Sequence, residues 1–424
     1  MNFLQNIFKF DNNVSLGGLT FELNVFFVLE QLKKQEENLL VVTNSLYEAN
    51  QFYNNLKTYC DDVYLFPMDD FLTSVALAIS PDLKIKRLET LEVIKNSKEK
   101  KIIVTNLMGY LKYLPNLSET KKYLQDLKVK DTVSREEIIK TLEDFGYNKV
   151  SLVTSTGEYA IRGYIIDIFL LENEHPVRLE MFGDYIESIR YFNEETQISI
   201  AKIDQIKILS FKEITTATNS SLIDYLTNVR VIFYNYAQIK AGYEKLEQEM
   251  FEYKNSMGIE SNYKYMYSLG ELQPNKINYI GLFNENISKI KSYSYCSQEI
   301  SNFNGNFDIL VDFCLKNIRQ KKKVILFLPL KSQLVKIKSI FPVDKLNVIN
   351  NLKKIVVDKV NVINKELNKG FIIDEYVIIS AYDIEKNNVK KVSYKNNYKF
   401  GSRIKSSNDI NKGDYVVHIA HGIG

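Results

Sequence analysis

Residues 157–192 read GEYAIRGYIIDIFLLENEHPVRLEMFGDYIESIRYF, a series of short segments rich in β-branched and aromatic residues. Such segments favour β-strands, and the turn residues between them set their limits. The strands that this pattern predicts are 160–161, 164–169, 177–182 and 185–192. Gly183-Asp184 joins the last two with the glycine-first pattern of a two-residue hairpin turn. The stretch therefore predicts an antiparallel sheet.

The predicted strand 177–182 has a legible period of two, which separates its side chains into two faces. Its odd-numbered residues are apolar and suit a core, whereas Arg178, Glu180 and Phe182 share the other face. An arginine and a phenylalanine on an open sheet face are typical anchors of protein interfaces. The alternative is that a helix of the chain covers Phe182 and that Arg178 is merely solvated.

The composition excludes several classes of protein. The 424 residues are 45% hydrophobic, enough to bury the cores of roughly two to four domains. A net charge of +3 is too small to indicate that the chain as a whole binds nucleic acid. Cys60, Cys296 and Cys314 form no CxxC pair or disulfide framework, which suits a reducing cytoplasm. Because there is neither a signal peptide pattern nor an apolar run of about 18 residues, we expect a cytoplasmic protein without membrane contact.

The first 120 residues alternate strands with helices, a pattern typical of a parallel sheet. Ser45 and Glu48 form a capping box at the start of one helix, and Ser80-Pro81 starts another. The remaining predictions are helices at 20–34, 45–59 and 107–113, and strands at 39–43, 63–66 and 102–105.

The turn before the first helix is Leu16-Gly17-Gly18-Leu19-Thr20. A phosphate-binding turn at such a place carries Gly-Lys-Ser/Thr, whose lysine neutralises the phosphate oxygens. This turn has no lysine, and Gly-Lys-Ser/Thr occurs nowhere in the chain. We interpret Gly17, Gly18, Leu19 and Thr20 as a degenerate phosphate loop that does not support hydrolysis. No cofactor is therefore expected in this chain.

Beyond about residue 210 the pattern is mostly helical, and the composition shifts again near residue 347. Helices are predicted at 222–226, 237–253, 309–317 and 332–340, with a strand at 323–328. A strand is also predicted at 150–154. Residues 386–412 are rich in lysine and asparagine and are interpreted as a basic linker. His418 and His421 lie three apart with no cysteine or further histidine nearby, and as strand and turn residues they are expected to pack or hydrogen-bond, so no metal site is expected.

Several segments of this sequence resemble segments of one protein family. GEYAIRGYIIDIF, HPVRLEMF and GDYIESIRYFNEETQ resemble the UvrA-binding domain shared by UvrB and the transcription-repair coupling factors, of which Mfd is the type. FPMDDFL and SPDLKIKRLETL resemble the first domain of the coupling factors, which also lack the phosphate loop that UvrB has. GDYVVHIAHGIG resembles the opening of their RNA-polymerase-interacting module, which is shared with CarD-type regulators and which UvrB lacks.

The resemblance implies an α/β fold in which a parallel-sheet domain with a degenerate P-loop carries an inserted antiparallel α+β domain. A small variable domain and a truncated β module would follow. The domains it implies are 1–120 (domain 1a), 121–210 (the UvrA-binding domain), 211–346 (domain 1b), 347–410 (the variable domain and basic linker) and 411–424 (the start of the polymerase-binding module).

The resemblance also assigns functional residues and partners. It carries the UvrA contacts onto Arg162, Arg178 and Phe182, and Gly163 would allow a sharp bend that aims Arg162 at the same patch. The start of the polymerase-binding module falls on Tyr415, Val417, His418, His421 and Gly422. In the complete family member, the RNA polymerase β subunit and double-stranded DNA are further partners. ATP and magnesium would serve a C-terminal translocase that these residues do not include.

Three function classes remain open on the sequence. The favoured class is an adaptor that recruits UvrA to RNA polymerase stalled at a lesion, in transcription-coupled nucleotide excision repair. The second is an ATP-using subunit of the UvrB kind, which the missing lysine disfavours. The third is a CarD-like transcription regulator, which the sheet at 157–192 disfavours. No nucleophile-base pair is recognisable in these residues, but the resemblance implies an ATP-dependent translocase in the complete family member, so whether the protein is an enzyme stays open.

Overall fold

The computed structural model describes residues 7–8, 10, 13–70, 81–116, 124–171, 173–210, 220–257, 266–385, 417–418 and 422–423. The chain divides into two compact units, of which one contains Met1–Leu117 and Thr216–Ser393 and the other Ser118–Thr215 and Tyr394–Gly424. The second unit therefore interrupts the chain of the first.

The helices of the described residues are α1 (Phe21–Lys34), α2 (Leu46–Lys57), α3 (Pro81–Asn96), α4 (Leu107–Leu111), α5 (Arg135–Asp144), α6 (Leu222–Tyr225), α7 (Tyr236–Met257), α8 (Phe307–Arg319), α9 (Lys331–Ile340) and α10 (Ala381–Ile384), with 3-10 turns at Val343–Lys345 and Leu352–Lys354. The strands are β1 (Val14–Gly17), β2 (Asn38–Thr43), β3 (Val63–Phe66), β4 (Ile102–Asn106), β5 (Leu124–Lys128), β6 (Asn148–Lys149), β7 (Glu158–Arg162), β8 (Ile165–Ile168), β9 (Val177–Phe182), β10 (Tyr185–Phe192), β11 (Ser199–Ile203), β12 (Gln205–Leu209), β13 (Val229–Tyr234), β14 (Ile277–Ile280), β15 (Lys291–Ser294), β16 (Ser297–Glu299), β17 (Lys323–Phe327), β18 (Leu346–Ile349), β19 (Val360–Ile363), β20 (Phe371–Ile373), β21 (Tyr376–Ser380), β22 (Val417–His418) and β23 (Gly422–Ile423).

The first unit contains the parallel sheet that the alternating pattern predicts. Its order is β15-β1-β14-β13-β2-β4-β3, and all six pairings are parallel. Strands such as β2 are buried on both faces, which explains their unbroken apolar sequence. The capping box of Ser45 and Glu48 is confirmed at the start of α2. The mixed α/β fold with a parallel sheet is therefore confirmed.

A second sheet in the first unit differs from the sequence prediction. Its order is β16-β20-β21-β17-β19-β18, in which β21, β17, β19 and β18 run parallel. The predicted limit between residues 346 and 347 falls inside β18 and cannot separate two domains. The reason is that β17, which precedes that limit, pairs with β19 and β21, which both follow it, and short apolar runs do not specify their partners locally.

Helix α1 packs between these two sheets of the first unit. Every residue from Glu22 to Gln31 is buried, and Phe26 meets Phe371 of β20 edge to face. Within this packing the Tyr59 hydroxyl donates to Glu22 Oε1 at 2.5 Å. Desolvation, with a smaller contribution from the Asp383 carboxylate, raises the pKa of Glu22 to about 8.

The second unit contains the sheet of the opening stretch, in the order β11-β10-β9-β8-β7-β6, and its pairings from β11 to β7 are antiparallel whereas β6 pairs parallel with β7. The alternation in β9 is confirmed, because Val177, Leu179 and Met181 are buried together with Ile138 and Leu142 of α5. We call the face covered by α5 the inner face and the opposite one the outer face. A two-residue turn follows β9 as predicted, with residues 182 and 185 paired across it and a positive φ of 59° at residue 183.

One predicted strand of this unit is wrong. Residues 150–154 do not form a strand, and the strand nearest to them, β6 at Asn148–Lys149, pairs parallel with β7. The amides of Thr154 and Ser155 donate instead to the carboxylate of Glu158, each at 2.8 Å. This carboxylate holds the segment in a turn. In the described part of the chain, no helix is both long and apolar enough to cross a membrane.

Candidate partner-binding surface

The outer face of the second-unit sheet carries the residues that the sequence assigned to a partner. Strand register places Arg178, Glu180 and Phe182 on this face, and Tyr185 is directly opposite Phe182 on β10. The Phe182 side chain is 78% exposed. The alternative that a helix covers Phe182 is therefore wrong.

Arg178 is held by the chain itself. Its Nε and Nη2 donate to the two oxygens of Asp167, at 2.7 and 2.9 Å, and the Asp167 side chain is fully buried. Nη2 and Nη1 also donate to Gln197, to its side-chain and main-chain oxygens, at 3.2 and 3.4 Å. The guanidinium carbon lies 4.4 Å from the centre of the Phe192 ring.

These bonds alter the role that Arg178 can have. Four of the five N–H donors of the guanidinium group are engaged, so this group is not free to bind a carboxylate of a partner. The hydrogen bonds to Asp167 raise the pKa of Arg178 above its usual value, although burial opposes them. Arg178 is thus neither merely solvated nor a free anchor beside Phe182.

A second ion pair occupies the middle of the same face. Arg190 of β10 donates to Glu180 of β9 through both terminal nitrogens, at 2.8 Å for Nη1, and the Ser188 hydroxyl donates to the same carboxylate at 2.6 Å. The bonds from Ser188 and then Arg190 lower the pKa of Glu180. Like the charge of Arg178, the charges of Arg190 and Glu180 are neutralised within the chain.

Arg162 lies at the same end of the sheet as Phe182. It is exposed at the end of β7, and register aligns it with Ile165 and then with Glu180, the neighbour of Phe182 on this face. The sharp bend predicted after Arg162 is present, because Gly163 has a φ of +56°. Within the described part of the chain its side chain makes one long hydrogen bond, from Nη2 to the Ser151 carbonyl at 3.5 Å. Arg162 and Phe182 thus lie at the same end of the sheet, whereas the Arg178 guanidinium is engaged within the chain.

Sequence reasoning missed two tyrosines at this end of the sheet. Tyr164, in the turn after β7, is 76% exposed, and Tyr185, opposite Phe182, is 40% exposed. The signal was available, since each tyrosine adjoins a glycine turn in the quoted stretch. It also missed Asp167, whose apolar neighbours in IIDIF suggested only a buried strand.

The degenerate phosphate loop between β1 and α1 is closed by the chain itself. The N–H groups of Gly18 and Leu19 donate to the carbonyls of residues 282 and 281 at 3.0 and 3.2 Å, and Thr20 N–H donates to the Ser297 hydroxyl at 2.8 Å. A Cβ atom on Gly18 would lie 1.8 Å from the Tyr295 carbonyl oxygen. The three amides of this turn are therefore already paired within the chain.

The predicted start of a polymerase-binding module lies largely outside the described residues. Tyr415 and His421 are among those outside them, as is the basic linker at 386–412. Val417 and His418 of β22 pair antiparallel with Ile423 and Gly422 of β23.

The second unit is similar to a known domain family. Residues 126–213 match the family model of the UvrB interaction domain. The chain is also 25% identical to a transcription-repair-coupling factor of Staphylococcus epidermidis and 24% identical to that of Bacillus subtilis. These alignments cover 97% and 96% of this chain but 42% and 41% of the relatives, so the chain spans less than half of their length. The resemblance to the transcription-repair coupling factors is therefore confirmed.

Proposed function

We propose that this chain is the repair-recruiting part of a transcription-repair coupling factor and that its second unit binds UvrA. The observation that carries the proposal is the 78% exposed ring of Phe182 within the region that matches the UvrB interaction domain. A phenylalanine held in a strand but left in water is a typical interface anchor. Arg162 adds a cation at the same end of the sheet.

The proposal assigns the first unit a scaffolding role. Its parallel sheet and strand-turn-helix at Gly17–Thr20 support descent from a nucleotide-binding fold, with residues 121–210 as an insertion. The paired amides of the turn argue against a nucleotide there. We therefore propose that ATP and magnesium act in a translocase outside these residues.

The whole protein would then act in transcription-coupled nucleotide excision repair in the cytoplasm. It would bind the RNA polymerase β subunit through the module that begins near residue 411, and displace the stalled polymerase by moving on double-stranded DNA. The contribution of these 424 residues is the delivery of UvrA.

The test is a titration of purified UvrA against the chain and two variants. Phe182→Ala should weaken binding by on the order of 30-fold or more, because the ring would supply the desolvated centre of the contact. Arg162→Ala should weaken it less, and more at low salt than at high salt. Phe251→Ala is the matched control, since this phenylalanine of α7 is also exposed, at 65%, but lies in the first unit.

Two results would contradict the proposal. One is that the unmodified chain does not bind UvrA. The other is that Phe182→Ala binds as tightly as the unmodified chain while its melting curve stays unchanged.

A further inference from the structure

We propose that Tyr164 and Tyr185 are partner contacts that complete an aromatic patch around Phe182, and that this patch enters an apolar pocket of UvrA. We call these three residues the aromatic turn patch. The inference rests on the proposed function and names the chemistry by which that site binds.

On the outer face of the sheet the charged side chains are paired within the chain, whereas the ring of Phe182 is exposed to solvent. Arg178 and Arg190 are neutralised by Asp167 and Glu180 within the chain, so the part of the face around them offers few free donors or acceptors. At the end of the sheet where the turns lie, the outer-face ring of Phe182 is 78% exposed, and the ring of Tyr164, in the turn between β7 and β8, is 76% exposed. A partner therefore gains most free energy by covering the turns.

Strand register explains why the three aromatic residues lie at one end. Tyr185 and Phe182 are direct cross-strand partners, so their side chains leave the sheet on the same face. Tyr164 lies in the turn after β7, beside β9, where its carbonyl accepts from the Met181 N–H at 2.9 Å. Neither tyrosine hydroxyl has a hydrogen-bond partner among the residues that the structure describes.

The backbone beneath the patch is fixed before a partner arrives. The carbonyl of Asp184 accepts from the Val133 N–H at 2.8 Å, and the Ile186 N–H donates to the Asp131 carbonyl at 3.0 Å. These bonds hold both sides of Tyr185 to the segment before α5. Preorganised aromatic side chains lose little conformational entropy on binding, which suits an interface anchor.

The patch also defines its partner surface. Three rings need a largely apolar pocket, and the adjacent Arg162 needs a carboxylate at its rim. Because three rings and the Arg162 guanidinium would form the contact, binding should depend weakly on salt. An interface built on the arginines of the sheet would depend on it strongly.

The experiment measures UvrA binding of the chain, of Tyr164→Ala and Tyr185→Ala, and of their phenylalanine counterparts. We expect about a tenfold loss for each alanine variant and nearly unchanged binding for Tyr164→Phe and Tyr185→Phe, because the ring supplies the contact. Tyr47→Ala is the control, since Tyr47 is a 71% exposed tyrosine of α2 in the first unit. Melting curves for all variants verify that the sheet remains folded.

The outcomes separate this inference from the function on which it rests. If both alanine variants bind like the unmodified chain while Phe182→Ala is weakened, the patch is wrong and the proposed function stands. If the phenylalanine variants lose as much as the alanine variants, the hydroxyls and not the rings form the contact, and the apolar pocket is wrong. If the unmodified chain fails to bind UvrA, the proposed function and the inference both fail.

Discussion

Replacing Arg178 by alanine should destabilise the second unit and not only weaken partner binding. The substitution removes both donors that neutralise Asp167, whose carboxylate is fully buried between β7 and β9. Removing one partner of a buried ion pair typically costs about 3–5 kcal/mol, because the other charge is left uncompensated. The Arg178 side chain retains some exposure, which lets water reach the site, so we expect the lower end, about 3 kcal/mol.

The free energy of unfolding is measured by urea denaturation followed by circular dichroism, since the chain has no tryptophan. Hydrogen exchange at the amides of β8 and β9 gives the local value for this sheet. Arg162→Ala is the matched control, an exposed arginine of the same sheet whose loss should change stability by less than about 0.5 kcal/mol. Adding Asp167→Asn to Arg178→Ala should restore part of the loss, because the uncompensated charge is removed. If Arg178→Ala is as stable as the unmodified chain but loses UvrA, Arg178 is a partner contact and this reasoning is refuted.

Two further predictions concern the first unit. Glu22→Gln should become more stable relative to the unmodified chain as the pH rises from about 5 to 8, by roughly 2–4 kcal/mol. In this window the unfolded chain loses the Glu22 proton, whereas the folded chain keeps it because the pKa of Glu22 is about 8 there. The Glu22 carboxyl therefore lowers the stability of the unmodified chain as the pH rises, and the glutamine side chain of the variant cannot do so. Urea denaturation at several pH values measures the difference, and parallel curves for the two proteins would be inconsistent with a buried protonated carboxyl. Second, a fluorescent ATP analogue should not bind this chain at micromolar concentration, because the amides of residues 18–20 are already paired; micromolar binding that excess ATP displaces would contradict this.

The sequence predicted the elements better than their partners. The alternation in β9 and the turn at residue 183 follow from local rules, and the structure has both. The pairing of Arg178 with Asp167 depends on the register between β8 and β9, which places them opposite each other although they are 11 residues apart. Solvation of Arg178 and its use as an anchor were therefore the only roles that the pattern could suggest.

Long-range pairing explains the other differences. The lysine-free turn at residues 17–20 was legible in the sequence, but the segment that closes it lies more than 260 residues further along the chain. Likewise, β17 pairs with β19 and β21 in a second sheet that no local pattern separates from the first. In each case the partner segment is distant in sequence, so topology and not the local pattern decides the pairing.

Hydrogen exchange of the chain with and without saturating UvrA tests the central claim most directly, because it reports where the partner binds. We expect UvrA to slow exchange at residues 162–165 and 182–186, around the two turns, and to leave the first unit unchanged. Protection confined to the first unit or to the edge strand β11, with unchanged exchange at both turns, would contradict the account.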